Sequence, residues 1–163
     1  MHTKVDNKKR IFDKNRVVQN SEIESRLKPW QIVIKRATDL LLSLIALPVF
    51  IVLYPIVGLI IKLDSKGPVL YTHLRVGKNG QKFLMHKFRT RYVDAEKMKK
   101  DLEEKNEASG PVFKMKHDPR ITKAGKYLRH TSIDEIPQII NVIKGHMSIV
   151  GPRPPLPWEV EKY

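Results

Sequence analysis

The stretch of sequence that decides the fold is LLLSLIALPVFIVLYPIVGLII, residues 40–61, which runs for 22 residues without a charged side chain. Sixteen of them are Leu, Ile, Val or Phe, and each such side chain contributes about −0.3 to −0.6 kcal/mol to membrane insertion. As one straight helix the segment would reach about 33 Å, enough to cross a bilayer. The sequence therefore predicts a membrane-associated helix, with the buried core helix of a larger fold as the alternative.

Basic side chains flank this apolar segment on both sides. Lys35 and Arg36 precede it, and Lys62 and Lys66 follow it. Because basic residues favour the cytoplasmic side of a membrane, both ends of the segment are drawn to the same side. A helix that simply spans the bilayer would place its two ends on opposite sides.

Two prolines interrupt the apolar segment, Pro48 and Pro55. Each removes a helical hydrogen bond and can kink the helix. A helix that breaks at Pro48 or Pro55, enters one leaflet and returns satisfies both the prolines and the flanking charges. We therefore predict a re-entrant helix over residues 35–63, and a tilted span remains open because membrane helices tolerate proline.

The composition narrows the class of protein further. The chain has 163 residues, with 31 Lys and Arg against 17 Asp and Glu, a net charge of +14, and no cysteine. The lack of cysteine excludes disulfide scaffolds, thiolate metal sites and a cysteine nucleophile. The basic charge suits anionic membrane lipids, and we interpret residues 1–34 as a basic arm with Pro29-Trp30 as an interfacial anchor.

The part of the chain after the apolar segment predicts a small mixed domain over residues 64–163. Residues 69–76 and 82–89 have strand-like composition, and the Gly-Lys-Asn-Gly sequence between them is typical of a hairpin turn. Residues 93–107 are rich in charge and predict an exposed helix. The predicted fold class is α/β: a re-entrant membrane helix plus a small cytoplasmic domain of helices around a short antiparallel hairpin or sheet.

An acidic pair, Asp134 and Glu135, lies where the next helix is expected to begin. Pro137 is tolerated only in the first turn of a helix, so the helix should start near Asp134. The isoleucines that follow recur at helical spacing and are Ile136, Ile139, Ile140 and Ile143. A helix start binds anions and favours an ionised Asp134. The structural alternative is a capping box formed by Ser132 and Glu135.

Two arginines flank the acidic pair in sequence. Thr122 is expected to cap a short helix that ends at Arg129, and Arg153 lies in the segment Gly-Pro-Arg-Pro. Arginine binds phosphate groups through two parallel hydrogen bonds. Either arginine could equally be a solvated surface charge. Together, the carboxylates and arginines beside a membrane segment indicate an anionic substrate handled with a metal ion.

Six runs from residue 62 onward are similar, in order, to the monotopic phosphoglycosyl transferases, a family of bacterial sugar transferases. The runs are Lys62-Leu63-Asp64-Ser65-Lys66-Gly67-Pro68-Val69, Lys87-Phe88-Arg89-Thr90, Gly110-Pro111-Val112-Phe113-Lys114, Asp118-Pro119-Arg120-Ile121-Thr122, Ser132-Ile133-Asp134-Glu135-Ile136-Pro137-Gln138 and Met147-Ser148-Ile149-Val150-Gly151-Pro152-Arg153-Pro154. The final nine residues most resemble the branch that primes exopolysaccharide and capsule synthesis.

The resemblance implies a two-step, Mg²⁺-dependent reaction at the cytoplasmic face of the bacterial inner membrane. Asp134 matches the family's nucleophile, which would attack a UDP-sugar, release UMP and form a covalent phosphosugar adduct. Polyprenyl phosphate, in bacteria undecaprenyl phosphate, would then take the sugar 1-phosphate. Glu135 matches the residue associated with Mg²⁺, Arg129 and Arg153 match arginines around the phosphates, and Lys87 matches a basic residue near the site. Downstream glycosyltransferases are further partners that the resemblance implies.

The chain also departs from the family pattern. Family members continue past the position of Tyr163, so the resemblance implies a chain without the family's C-terminal segment. His146 stands where the family has an acidic residue, and Arg91 replaces a customary methionine. The alternatives are an inactive homologue that serves as a membrane scaffold, and a basic membrane protein that binds nucleic acid. The second has only the charge in its favour, because no zinc spacing or nucleic-acid-binding motif is present, and we expect no nucleic-acid partner.

Overall fold

The structure, a computed structural model, describes residues 27–77, 80–102, 115 and 117–161. The described residues form helices and one antiparallel pair of strands, and the elements in chain order are α1 (Pro29–Asp64), β1 (Leu70–Val76), β2 (Lys82–Phe88), α2 (Ala95–Asp101), α3 (Lys123–His130), a 3-10 helix (Ile133–Gln138), α4 (Ile139–Ile143) and α5 (Pro157–Glu161). This mixture confirms the predicted α/β class with a small hairpin.

Helix α1 is the long apolar helix that the sequence predicts, and it runs over 36 residues. By length and composition it could cross a membrane, and 22% of its most apolar window is buried. Pro48 and Pro55 both lie inside this one helix. The described residues leave most of α1 exposed, and its re-entrant course stays a prediction.

One face of α1 packs against protein and the rest of its apolar surface is exposed. The buried side chains recur at intervals of four or seven residues along the helix and are Asp39, Ser43, Phe50, Val57 and Ile61. Such spacing keeps them on a single stripe. Large apolar side chains outside this stripe, including Leu44 (67% exposed) and Ile51 (62%), face away from protein.

The chain divides into two compact units. The first contains residues 1–46, 73–85 and 139–163 as far as they are described. In it, the Arg36 guanidinium donates hydrogen bonds to the carbonyl oxygens of Val142 (2.6 Å) and Ile143 (2.8 Å) at the end of α4. The buried carboxylate of Asp39 accepts hydrogen bonds from the Ser148 hydroxyl and the Ile149 amide, both at 3.0 Å. These contacts hold the first part of α1 against the segment after α4.

The second unit contains residues 47–72 and 86–138. Three aromatic rings contact one another in it: Phe88 of β2 lies 6.4 Å from the Phe50 ring and 5.9 Å from the Tyr54 ring of α1. Phe50, Phe88, Ala95 and Leu128 of this unit are buried. This unit contains Lys87, Arg129, Asp134 and Glu135.

The hairpin prediction is confirmed to within one residue at each end, since the strands cover Leu70–Val76 and Lys82–Phe88. Helix α2 covers Ala95–Asp101, which confirms the start of the predicted helix. Residues 103–114, where that helix was expected to end, lie outside the described residues, as do 78–79 of the turn and 1–26 of the arm.

The predicted α-helix near Asp134 is wrong in type. The chain forms a 3-10 helix over Ile133–Gln138 before the five-residue helix α4. Pro137 lies inside the 3-10 helix and lacks a backbone N–H, so it cannot continue an α-helical ladder there. The amide of Glu135 instead donates to the Ser132 carbonyl three residues back, at 3.1 Å.

Candidate active site

The segment Lys87-Phe88-Arg89-Thr90 connects several parts of the second unit, because each of its four residues contacts a different part of the chain. Phe88 packs on α1, as described above. The Arg89 guanidinium donates to the carbonyl oxygens of Lys66 (2.5 Å) and Ser65 (2.8 Å), so it fixes the turn that follows α1. Burial lowers the pKa of Arg89, and the negative charge of Asp64 opposes that effect.

Thr90 connects this segment to helix α3. The Thr90 carbonyl accepts a hydrogen bond from the Thr122 amide at 3.1 Å. It also lies so close to Gly125 that a Cβ there would come within 2.1 Å of the oxygen. Only glycine therefore permits this approach of α3 to the strand end.

Helix α3 begins with the cap that the sequence predicts. The Thr122 hydroxyl accepts a hydrogen bond from the Gly125 amide at 2.9 Å. A second acceptor comes from the end of α1, because the Asp64 carboxylate accepts from the Ala124 amide, also at 2.9 Å. These two acceptors fix the start of the helix that carries Arg129 in its last turn.

The turn between α3 and the 3-10 helix brings the acidic pair into place. Ser132 has a φ of +58°, a left-handed conformation that serine seldom adopts. A capping-box serine would have extended backbone, so Ser132 and Glu135 do not have capping-box geometry. Asp134 and Glu135 follow directly in the first turn of the 3-10 helix.

Lys87 is the basic residue that meets the acidic pair. Its Nζ lies 2.5 Å from Glu135 Oε1 and 4.0 Å from Asp134 Oδ2. The Asp134 side chain is 12% exposed, whereas the Glu135 side chain is 46% exposed. The geometry is that of one buried carboxylate beside a cation and one accessible carboxylate at the surface.

Burial raises the pKa of Asp134 above its usual value. The positive charge of Lys87 opposes this rise, the neighbouring Glu135 adds to it, and Arg129 also opposes it. The expectation that a helix start would favour an ionised Asp134 is therefore corrected: desolvation outweighs the stabilising charges. Lys87 is the strongest of the groups that oppose protonation.

The sequence identified four residues of this unit that the structure relates to one another: Lys87, Asp134 and Glu135 in direct contact, and Arg129 through its charge on Asp134. Arg153 belongs to the other unit, in an exposed part of the chain. Its assignment to a phosphate group stays a prediction.

Sequence reasoning missed the role of Asp118, which forms a buried ionic cluster with two arginines. Its carboxylate accepts two hydrogen bonds from the Arg120 guanidinium, each at 2.8 Å, and one from Arg91 at 3.2 Å. Burial by itself would raise the pKa of Asp118, but the hydrogen bonds from Arg120 and the charges of both arginines lower it overall. The signal was the motif Asp118-Pro119-Arg120, which places an acid and an arginine two residues apart.

Arg91 is held by this cluster and is 38% exposed. Burial lowers its pKa, and the charges of Arg120 and Arg129 lower it further. The backbone of Arg91 pairs with Ile121, so the cluster also fixes the strand end against the residues that lead into α3. Asp118 thus supports the position of α3, and α3 in turn leads to the acidic pair.

Among the described residues, no group of three or more His, Asp and Glu side chains could hold a metal ion by itself. A magnesium ion commonly binds one or two carboxylates and takes its other ligands from water and substrate phosphates. The adjacent carboxylates of Asp134 and Glu135 fit that smaller donor set, and Glu135 is the more accessible of the two.

Comparison of the chain with known proteins identifies relatives and a matching family. A family model described as bacterial sugar transferase matches residues 30–163. The galactosyl transferase CpsE of Streptococcus agalactiae is 56% identical over 97 residues, which are 60% of this chain and 22% of that protein. An undecaprenyl-phosphate glucose phosphotransferase of Komagataeibacter xylinus is 43% identical over 131 residues, 80% of this chain and 23% of that protein.

A third relative is matched over most of its length. A candidate undecaprenyl-phosphate N-acetylgalactosaminyl 1-phosphate transferase of Bacillus subtilis is 41% identical over 132 residues, which are 81% of this chain and 68% of that protein. The chain thus spans less than a quarter of two of these relatives and about two thirds of the third. Because the family model covers most of the chain, this protein belongs to the bacterial sugar transferase family.

Proposed function

We propose that this protein transfers a sugar 1-phosphate from a UDP-sugar to a polyprenyl phosphate, the first step in building an exopolysaccharide, capsule or other surface glycan. Two of the relatives are named for undecaprenyl-phosphate and a sugar or sugar 1-phosphate, and another for exopolysaccharide production. The observation that carries the proposal is the buried Asp134 carboxylate beside the Lys87 ammonium, with Glu135 adjacent.

In the first step, a carboxylate oxygen of Asp134 attacks the β-phosphorus of the UDP-sugar. The bond from that phosphorus to the bridging oxygen breaks, and UMP leaves with the electron pair. The product on the protein is an acyl phosphate that carries the sugar. A carboxylate nucleophile of this kind divides one difficult transfer into two easier displacements.

In the second step, a phosphate oxygen of the polyprenyl phosphate attacks the same phosphorus. The acyl phosphate bond breaks, the Asp134 carboxylate is regenerated, and the lipid carries the sugar through a diphosphate. Lys87 and Arg129 are positioned to keep Asp134 ionised for the first step, because both oppose the rise in its pKa. We assign Arg153 to the phosphate groups as well, on the family resemblance alone.

Magnesium is the cofactor that this chemistry would use. Glu135 would hold the ion together with phosphate oxygens of the donor, which suits its 46% exposed side chain. When bound, the ion supplies positive charge to the phosphoryl oxygens during the displacement. The residues of the chain bind the phosphates and position the carboxylate.

The exposed apolar surface of α1 supports an acceptor that is a membrane lipid. We propose that α1 lies in the cytoplasmic leaflet of the bacterial inner membrane as a re-entrant helix, so that the second unit meets the phosphate of the lipid at the cytoplasmic face. The net charge of +14 favours a surface of anionic lipids. Glycosyltransferases that extend the sugar on its lipid carrier would act next.

The test is UMP release from a panel of UDP-sugars by the detergent-solubilised chain, with Mg²⁺ and polyprenyl phosphate. We expect release by the wild type and none above background by Asp134→Asn, together with a covalent sugar-phosphate adduct, detected by intact mass, that only the wild type forms. Asp94→Asn is the matched control, since Asp94 is a 71% exposed acid of the same unit. Equal UMP release by the wild type and by Asp134→Asn would refute the mechanism. If the wild type is folded and releases no UMP, the remaining function is that of an inactive membrane scaffold.

A further inference from the structure

The register of the hairpin identifies the residue that faces Lys87 across the strands. The Gly77 amide donates to the Gln81 carbonyl at 2.8 Å, and the Arg89 amide donates to the Val69 carbonyl at 2.9 Å. The two pairs are separated by eight residues on each strand, from 69 to 77 along β1 and from 81 to 89 along β2. The strands therefore pair without a bulge. Tyr71 is therefore directly opposite Lys87.

Residues directly opposite each other in an antiparallel pair lie on the same face, with Cβ atoms about 4.5–5.5 Å apart. The Tyr71 ring therefore lies on the face of the hairpin from which Lys87 reaches the acidic pair. Tyr71 is 48% exposed, so a large part of its surface is open to a ligand. Tyr71, Lys87 and Asp134 all belong to the second unit.

We propose that Tyr71 packs against the hexose of the donor and of the covalent adduct, and so is a sugar-binding residue of this site. The inference rests on the proposed function. In that reaction the hexose is joined to the attacked phosphorus through a single oxygen. The uracil base is farther away, beyond a second phosphate and a ribose, and it leaves with UMP.

The position of Tyr71 beside Lys87 in the hairpin favours the hexose over the base. Lys87 Nζ lies 4.0 Å from Asp134 Oδ2, and Tyr71 is the neighbour of Lys87 by one strand spacing, about 4.8 Å. An aromatic ring on the strand next to the lysine that contacts the nucleophile matches the position of a group attached directly to the reacting phosphate. Aromatic side chains offer a large apolar surface with limited conformational freedom, and ligand sites are commonly lined by them.

The experiment separates the hexose from the base by comparing UDP-hexose with UDP. Binding of UDP-glucose, UDP-galactose and UDP is measured by calorimetry in the Asp134→Asn background, where no turnover occurs, with and without Tyr71→Ala. We expect Tyr71→Ala to weaken binding of at least one UDP-hexose about tenfold and to leave UDP binding unchanged. Tyr71→Phe retains the ring and should bind like the parent.

Two further variants guard against an effect on folding. Tyr71→Leu keeps an apolar side chain on the strand and should lose the same selectivity as Tyr71→Ala, with unchanged circular dichroism. Tyr127→Ala is the matched control, because Tyr127 is a 66% exposed tyrosine of the same unit. It should bind both ligands normally.

Equal weakening of UDP and UDP-hexose by Tyr71→Ala would overturn the proposal and place the ring at the nucleotide. Unchanged binding of every ligand would overturn it as well. A chain that binds UDP-hexose through Tyr71 but releases no UMP in the wild-type form would support the sugar contact while refuting the proposed reaction. Absence of any binding to the folded chain would refute both.

Discussion

The Nζ atom of Lys87 lies 4.0 Å from the Oδ2 atom of Asp134. Burial raises the pKa of this aspartate, and Lys87 is the group that opposes the rise most strongly. The proposed nucleophile must be ionised to attack, so its reactivity depends on this one cation more than on any neighbouring group. The relationship gives a direct prediction for the pH dependence of the reaction.

Lys87→Met should lower the rate of UMP release about a hundredfold, the scale observed when a group that stabilises charge in an active site is removed. Without Lys87, the pKa of Asp134 rises further, because burial and Glu135 raise it and Arg129 remains to oppose them. The acidic limb of the pH–rate profile should therefore move to higher pH. Lys87→Arg keeps the charge and should keep the limb near its wild-type position. An unchanged limb in Lys87→Met would contradict this account.

Asp134→Asn should raise thermal stability while it abolishes adduct formation. Because the pKa of Asp134 is raised on folding, the stability it contributes is fully present below the unfolded-state pKa and is lost as pH rises through the folded-state pKa. At pH 7 the ionised carboxylate thus opposes folding, and asparagine removes that cost. We expect a higher Tm than that of the wild type at pH 7, measured by tryptophan fluorescence. The difference should shrink towards pH 4, and a lower Tm at pH 7 would be the opposite result.

The local elements of this fold follow from the sequence, whereas the meeting of Lys87 with the acidic pair does not. Strand-like composition and the Gly-Lys-Asn-Gly turn located both strands, and Thr122 located the cap of α3. The helix type at Asp134 was wrong because Pro137 lies inside the 3-10 helix and has no N–H to continue an α-helical ladder, and the periodicity of the isoleucines does not encode this local effect. Contacts between distant residues depend on packing, and only the family resemblance pointed to Lys87.

Asp118→Asn should destabilise the chain by about 3–5 kcal/mol at pH 7, because it removes the carboxylate that pairs with the buried Arg120 guanidinium. The pKa of Asp118 is lowered on folding, so its contribution is present above the unfolded-state pKa and is lost as pH falls through the folded-state pKa. Urea unfolding at pH 7 and at pH 2 should therefore show a smaller loss of stability on acidification in Asp118→Asn than in the wild type.

The control for this prediction is Asp94→Asn. Asp94 is 71% exposed and pairs with Lys97 at 3.6 Å on the surface, where an ion pair contributes at most about 1 kcal/mol. Its urea midpoint should stay close to that of the wild type. Equal effects of the two substitutions would mean that the Asp118 cluster does not stabilise this unit.

Gly125→Ala should destabilise the second unit strongly, whereas Gly58→Ala should be tolerated. A Cβ at residue 125 would meet the Thr90 carbonyl oxygen at 2.1 Å, which requires α3 to move away from the strand end. A Cβ at residue 58 would meet a Val69 methyl group at 3.4 Å, an ordinary packing distance. The measurement is the Tm of each variant beside its rate of UMP release. Both values should fall in Gly125→Ala, and a normal rate there would show that the position of α3 does not affect the acidic pair.

The course of α1 through the membrane can be decided with single cysteines, because the natural chain has none. Lys35→Cys and Lys62→Cys mark the two ends of the apolar segment, and Leu44→Cys marks its exposed apolar surface. In a re-entrant helix both ends lie in the cytoplasm. A membrane-impermeant maleimide should then label both end positions in inverted membrane vesicles and neither in intact cells.

A spanning helix gives a different pattern, in which one of the two end positions is labelled in intact cells. Leu44→Cys should resist labelling in both preparations. The Leu44 side chain is 67% exposed on the protein surface, and lipid should cover that surface. Free access of the reagent to Leu44→Cys would place α1 outside the membrane. Replacing Pro48 and Pro55 together by leucine restores the two missing amides of the helix and should favour the span. A re-entrant pattern that survives this double substitution would assign the topology to the flanking charges, Lys35 and Arg36 on one side and Lys62 on the other.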